Sequence, residues 1–216
     1  MSEPVRLWSW ELSPFAGRVR AAFAEKGVDV ALAEIHPVDR PARLRELNPL
    51  GRVPVLELDD GTGLRESSII CEWLEETHPE PPLWPADPGE RGWARGWTRW
   101  LDDEVLVPFF LGLNKAAWPG ADDPADIVQR LHGKLPRRWP VLEAQLGVRR
   151  GPWLCGEQLT YAEMSGLALA VRLPQWGAHL QPEPAAFPRV AAWLAALRER
   201  PSAGAIQAAG PEVLRG

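Results

Sequence analysis

Cysteine is nearly missing from this chain. Two occur in 216 residues, Cys71 and Cys155, in unrelated contexts, too few for a disulfide framework or a thiolate zinc site. No apolar run approaches the ~20 residues of a membrane-spanning helix. The first residues lack a basic segment followed by an apolar stretch, so no signal peptide is expected. Basic excess is absent as well: 24 Lys+Arg stand against 29 Asp+Glu, a formal net charge of −5 with a pI near 5.5. Nucleic-acid binders are usually basic, so neither nucleic acid nor membrane is an expected partner. Lysine occurs three times and tyrosine once, at Tyr161. These absences leave a soluble protein of a reducing compartment, expected in the cytoplasm and without a metal.

Hydrophobic residues make up 45% of the chain, enough for a substantial core, and the length suits two small domains or one large one. Up to residue 80 there are nine basic residues against fifteen acidic; beyond it, fifteen against fourteen. Neither part carries a basic stripe long enough to track phosphates.

The pattern changes along the chain. Val5–Trp10 alternates and reads as a strand. Ser13-Pro14 then predicts a helix start, with serine as cap and proline in the first turn. That helix runs to Lys26 with Phe15, Val19, Ala22 and Phe23 on one face, and Gly27 stops it. Val28–Ile35 reads as a second strand and Pro41–Leu47 as a short helix. Val53–Leu58 is β-branched and apolar, Asp59–Gly63 supplies a hairpin turn, Leu64–Glu66 returns, and Ser67 opens a helix ending near His78. The order β-α-β-α-β-β-α in about 80 residues fits a thioredoxin-like domain, parallel in its first unit with an antiparallel hairpin at the edge. A proline-rich spacer follows, Pro79–Pro88. After it the chain reads as all-helical: Arg91–Trp118 kinked at Pro108, a helix opened by Asp122-Asp123-Pro124 and broken by Pro136 and Pro140, an Ala/Leu-rich helix behind the Thr160–Glu163 capping box, and Phe187–Arg198. The expected domains are 1–79 and 91–216, joined by linker 80–90.

Two features between Asn48 and Leu74 suggest a binding site. Pro54 opens a strand but cannot donate to its ladder; a cis Val53-Pro54 bond would turn the Val53 amide and carbonyl toward an extended ligand. The helix start at Ser67 suits a carboxylate, and Glu66 beside it suits an ammonium. Together they fit the α-amino-acid end of a peptide. The plain alternatives are a cap at Ser67 and a strand start at Pro54.

On Ser13-Pro14-Phe15 with Arg18-Val19-Arg20, Asn48-Pro49, Val53-Pro54-Val55-Leu56, Glu66-Ser67-Ser68-Ile69, Leu83–Pro88 with Arg91, Thr160–Glu163 and Pro188 through Trp193 to Arg200-Pro201, the chain resembles a cytosolic glutathione transferase of the serine type. The resemblance spans roughly Val5 to Pro201. It implies a thioredoxin-like N-terminal domain, an all-helical C-terminal domain, a homodimer and glutathione as cosubstrate. It places Ser13 as the hydroxyl that stabilises the glutathione thiolate and Val53, at Pro54, as the backbone partner of the cysteinyl unit. Glu66 and Ser67 would hold the γ-glutamyl end, and Arg40 and Arg52 would lie near the glycyl carboxylate. Trp10, Phe15, Phe109, Phe110 and Leu113 are the candidate apolar wall for a second substrate.

A free thiol titrates near ~8.5, and lowering that by about two units takes roughly 2.7 kcal/mol. A Ser13 hydroxyl donating to sulfur, with a helix N-terminus behind it, is a plausible source. Capping the helix is its alternative role, and the two roles compete for one hydroxyl. Ser9, inside a strand, is a weaker candidate. Tyr161 belongs to the helical part, which argues against a tyrosine-type site. Cys71 and Cys155 read as structural thiols, and the first helix start lacks a cysteine suited to disulfide exchange. The tryptophans 93, 97 and 100 read as core or subunit contact, and Arg91, Arg95 and Arg99 as a solvated face, with the lining of a dimer cleft as the alternative. The expected activity is attack of the glutathione thiolate on a small apolar electrophile or a peroxide. The rivals are a glutathione-dependent isomerase of the maleylacetoacetate type and a non-catalytic interaction module.

Overall fold

The computed structural model describes residues 5–36, 39–108, 135–176 and 180–206. Strand β1 (Arg6–Ser9) leads to helix α1 (Pro14–Lys26), β2 (Ala31–Glu34), α2 (Ala42–Leu47), β3 (Val55–Glu57), β4 (Gly63–Arg65) and α3 (Ser67–Thr77). The sheet order is β2-β1-β3-β4. β1 and β2 are parallel, while β3 runs antiparallel to both β1 and β4. This is the thioredoxin-like arrangement.

β1, β2 and β3 are shorter than the sequence predicts, while β4 keeps its length and begins one residue earlier. The α1 boundaries match. Ser13 accepts the Ala16 amide at 3.2 Å, Pro14 sits in the first turn, and Gly27 closes the helix at φ 63°, a conformation other residues adopt at a cost.

Helix α4 (Pro88–Leu101) follows, starting three residues before the expected Arg91. Asp87 accepts the Glu90 amide and Pro88 occupies the first turn, so the last residues of the expected spacer already cap the helix. α4 then widens into a π turn, Asp102–Leu106, where the Val107 amide bonds the Asp102 carbonyl. Pro108 supplies no N–H, and its ring crowds the carbonyl four residues earlier. The irregularity therefore begins upstream of the expected kink. Residues 109–134, with Phe109, Phe110, Leu113 and the Asp122-Asp123-Pro124 signal, lie outside the described residues.

A 3₁₀ turn (Leu135–Arg138) runs into α5 (Trp139–Leu146), followed by α6 (Tyr161–Trp176), α7 (Pro188–Arg198) and a closing 3₁₀ strap, Pro201–Ala205. In α6 every residue from Tyr161 to Leu173 is buried. Its start carries the expected capping box: Thr160 Oγ1 accepts the Ala162 amide at 3.2 Å, and Glu163 accepts the Thr160 amide at 3.0 Å. Burial pushes the Glu163 carboxyl above its usual range. A Cβ on Gly166 would lie 2.4 Å from the Trp193 ring. Glycine inside a helix costs about 1 kcal/mol relative to alanine; here that cost lets α6 and α7 touch.

The sheet alternates as strands must. Leu7 and Leu56 enter a core that continues through Val19, Phe23, Ile70 and Leu74 into Leu101, Tyr161, Leu167 and Trp193. Trp8 and Val55 face the other way, over Ile35, Leu44 and Leu47. One hydrophobic core thus crosses from the first half of the chain to the second. α1 lies between the two and packs against α3, α6 and the strap.

Candidate functional site

A cleft of about 570 Å³ opens where the sheet, the starts of α1 and α3, and the π turn meet. Its lining includes Trp10, Ser13, Phe15, Arg40, Arg52, Val53, Pro54, Glu66 and Ser67, which are the site residues expected from sequence that fall among the described residues. Ser13 is 2% exposed and reaches the cleft at the α1 N-terminus. Its oxygen accepts the Ala16 amide. A hydroxyl has one donor and two acceptor positions, so this cap uses a lone pair and leaves the proton. The two roles that compete on paper use different parts of one group. Ser9 is fully buried, accepts from Arg20 and lies outside the cleft lining.

The Val53-Pro54 bond is cis. Ahead of it, Asn48 holds the loop: its amide nitrogen donates to the Arg52 carbonyl at 2.9 Å, and its oxygen accepts the Leu50 amide at 3.2 Å. Gly51 turns the chain at φ 59°, and a Cβ there would sit 3.1 Å from the Arg40 side chain. Asn48 and Gly51 therefore place Arg40, Arg52 and Val53 along one wall. In the sequence Asn48 stands out only through its pairing with Pro49.

Glu66 has φ 70°, a left-handed conformation that a side-chain-bearing residue rarely holds and that costs on the order of 1 kcal/mol or more. It presents the start of α3, with Ser67 and Ser68, to the cleft. Beneath it lies a residue to which the sequence assigned no role. Arg18, buried in α1, donates to the Ser67 hydroxyl. It also donates to both Asp102 carboxylate oxygens at 2.8 Å and to Ser165 Oγ at 2.8 Å. Ser165 in turn donates to Asp102 at 3.2 Å. One guanidinium ties α1, α3, the π turn and α6 together at the cleft floor. The available signal was its spacing: Arg18 follows Phe15 by three and precedes Ala22 by four, so it shares their apolar face.

The far wall is more polar than expected. Arg99, Asp102, Asp103 and Val107 line it, and Arg99 bonds Asp103 at 2.6 Å. Arg99 stays 78% exposed, as expected of a solvated face, and also borders the cleft. Arg95 instead pairs with Glu72 at 2.9 Å and lies over Trp84. Trp93, Trp97 and Trp100 are outside the cleft lining; the last two pack edge to face at 5.2 Å. The thiols behave as structural ones: burial pushes Cys71 up to about 12 and Cys155 up to about 11. Burial likewise raises the Tyr161 phenol, which donates to Glu75 at 3.2 Å. Among the described residues no cluster of His, Cys, Asp or Glu is arranged to hold a metal, and no helix is long and apolar enough to cross a membrane.

Fold and site together define a thioredoxin-like domain joined to a helical one, with the cleft at the junction. Residues 7–82 match the family model for the glutathione S-transferase N-terminal domain, and residues 106–201 the model for its C-terminal domain. Among curated relatives, glutathione S-transferase U1 of Arabidopsis thaliana is 39% identical over 115 residues, covering 53% of this chain and 51% of that protein. The match thus spans about half the length of that relative. A probable maleylacetoacetate isomerase of Caenorhabditis elegans is 30% identical over 186 residues, covering 82% of this chain and 83% of that protein. Among solved structures, a glutathione S-transferase from Rhodospirillum rubrum F11 superposes with a TM-score of 0.83 at 28% identity, covering 96% of this chain and 94% of its own. The chain belongs to the glutathione S-transferase family.

Proposed function

We propose that the protein is a glutathione transferase that activates the glutathione thiol for attack on a small hydrophobic electrophile or a peroxide. The carrying observation is that Ser13, Val53-Pro54 and Glu66-Ser67, remote in sequence, line one cleft. In this reading the Ser13 oxygen keeps accepting the Ala16 amide while its O–H donates a hydrogen bond to the glutathione sulfur, favouring the thiolate. The Val53 backbone pairs with the cysteinyl unit. Glu66 takes the γ-glutamyl ammonium, and the Ser67 hydroxyl and α3 amides take the carboxylate. Arg40 and Arg52 bind the glycyl carboxylate. Trp10 and Phe15, which line the cleft, give the second substrate an apolar wall, and Phe109, Phe110 and Leu113 remain its further candidates from sequence. Residues 1–79 and 91–216 act as the two domains, and the protein works as a cytoplasmic homodimer.

Glutathione binding by calorimetry and turnover of an aryl halide test this in wild type and Ser13→Ala. Ser13→Ala should bind within about threefold of wild type and lose about 10- to 100-fold in kcat, the two pKa units above being a hundredfold at most. Equal turnover removes Ser13 from the mechanism. Binding without turnover in wild type favours an isomerase, and no binding favours the interaction module. The isomerase reading has the Caenorhabditis elegans relative in its support: a thiolate that adds to a conjugated double bond and leaves again returns the other isomer. Conversion of a cis-olefinic diacid, dependent on glutathione, decides it.

A further inference from the structure

Two buried cations sit behind the loop that presents Ser13. Arg20 on α1 and Arg172 on α6 are both more than nine-tenths buried. Arg20 Nη2 donates to the Glu11 carbonyl at 3.1 Å, and Arg172 Nη2 donates to the same oxygen at 2.6 Å. Arg20 Nη1 also reaches the Ser9 hydroxyl, and the Trp10 carbonyl at 3.4 Å. The Glu11 amide donates to Glu34 on β2. The N–H and the C=O of Glu11, in the two successive peptide groups that flank its Cα, are therefore both held, by side chains from three elements. The Ser13 amide bonds the Trp10 carbonyl at 2.9 Å, so the loop cannot shift without moving the head of α1.

The same guanidiniums hold the end of the described chain. Arg20 Nε donates to the Ala205 carbonyl at 2.8 Å, and Arg172 to the Ile206 carbonyl at 3.2 Å. Burying two neighbouring like charges is costly, and desolvation lowers the pKa of both. An apolar pair would fill the space at less cost. What the arginines add is direction, since a planar fork fixes two carbonyls at once.

We propose that Arg20 and Arg172 form a clamp that positions Ser13, with the 201–206 strap as its outer jaw. Both are positioning residues: they act on the thiol through the loop and do not touch glutathione. This rests on the reading of Ser13 as the donor to the thiolate. The side chains that would grip the peptide, Arg40, Arg52, Glu66 and Ser67, lie on other segments, so the clamp governs thiol ionisation and leaves affinity alone.

The test is the pKa of bound glutathione, read from thiolate ultraviolet absorbance against pH, with kcat and KM. Arg172→Met should raise that pKa by about one unit and lower kcat about tenfold at neutral pH. Affinity should stay within about twofold, and rate should recover toward alkaline pH. Arg172→Lys keeps the charge but loses the fork, and should fall between the two; it also serves if Arg172→Met does not fold. An unshifted pKa in the soluble variants, or a loss of affinity in step with kcat, overturns the clamp. If Ser13→Ala also leaves the thiol pKa unmoved, the underlying reading of Ser13 has failed; if only the Arg172 variants do, the clamp alone has failed.

Discussion

Of the three buried cations on helix α1, Arg18 in the second turn and Lys26 at the last residue are housed differently. Lys26 donates to Glu75 at 2.7 Å and to the carbonyls of His78 and Pro81 at 2.7 and 2.8 Å, which uses its three donors. Glu75 also accepts the Leu83 and Trp84 amides and the Tyr161 hydroxyl. This joint is saturated and sits away from the cleft. Arg18 joins the same two halves through Asp102 and Ser165, yet its Nε has no partner among the described residues, and it lines the cleft. At the joint that only holds the halves together, every donor of the Lys26 ammonium is paired. A joint that shapes the site gives up part of that satisfaction to hold Ser67.

Substitutions at the two joints should therefore fail differently. Arg18→Met leaves Asp102 without its cation and Ser67 without its donor. Urea denaturation should show a loss of about 3–5 kcal/mol, and the folded protein should bind glutathione about tenfold more weakly by calorimetry. Lys26→Met should cost about 3 kcal/mol, the low end of that range, because Glu75 keeps three neutral donors. Its glutathione affinity should be unchanged; a tenfold loss there would erase the distinction. The smallest effects come from single hydroxyls, about 1 kcal/mol each. Tyr161→Phe should lower stability alone, while Ser165→Ala should lower stability and raise the glutathione Kd two- to threefold.

The sequence made the local parts of the site visible because their physics is local. Ser13-Pro14, Gly27, the Asp-Gly hairpin turn and the Glu66-Ser67 helix start each act within a few residues of themselves. Asp87-Pro88 is the same cap-and-proline pair as Ser13-Pro14, and it was hidden only by the prolines around it. The floor of the cleft was not legible. Arg18 meets Asp102 across 84 positions and Ser165 across 147, and periodicity says nothing about which distant elements touch. Arg172 was hidden similarly: in an Ala/Leu-rich helix it reads as an isolated charge, and only the fold brings it to Glu11. The apolar stripe predicted for α1 was correct but incomplete, since burial on nearly all sides draws in Arg18 and Arg20 too.

That enclosure has a thermodynamic corollary. A helix wrapped by the sheet lobe and by α6 with the strap exposes only Ala24 fully, and so leaves little solvent side on which one lobe could part from the other. Excising the first eighty residues would bare two arginines and a strip of aliphatic surface at once. The whole chain should melt in a single cooperative step, with calorimetric and van't Hoff enthalpies in agreement, so that the cleft loses its shape only when the entire molecule does.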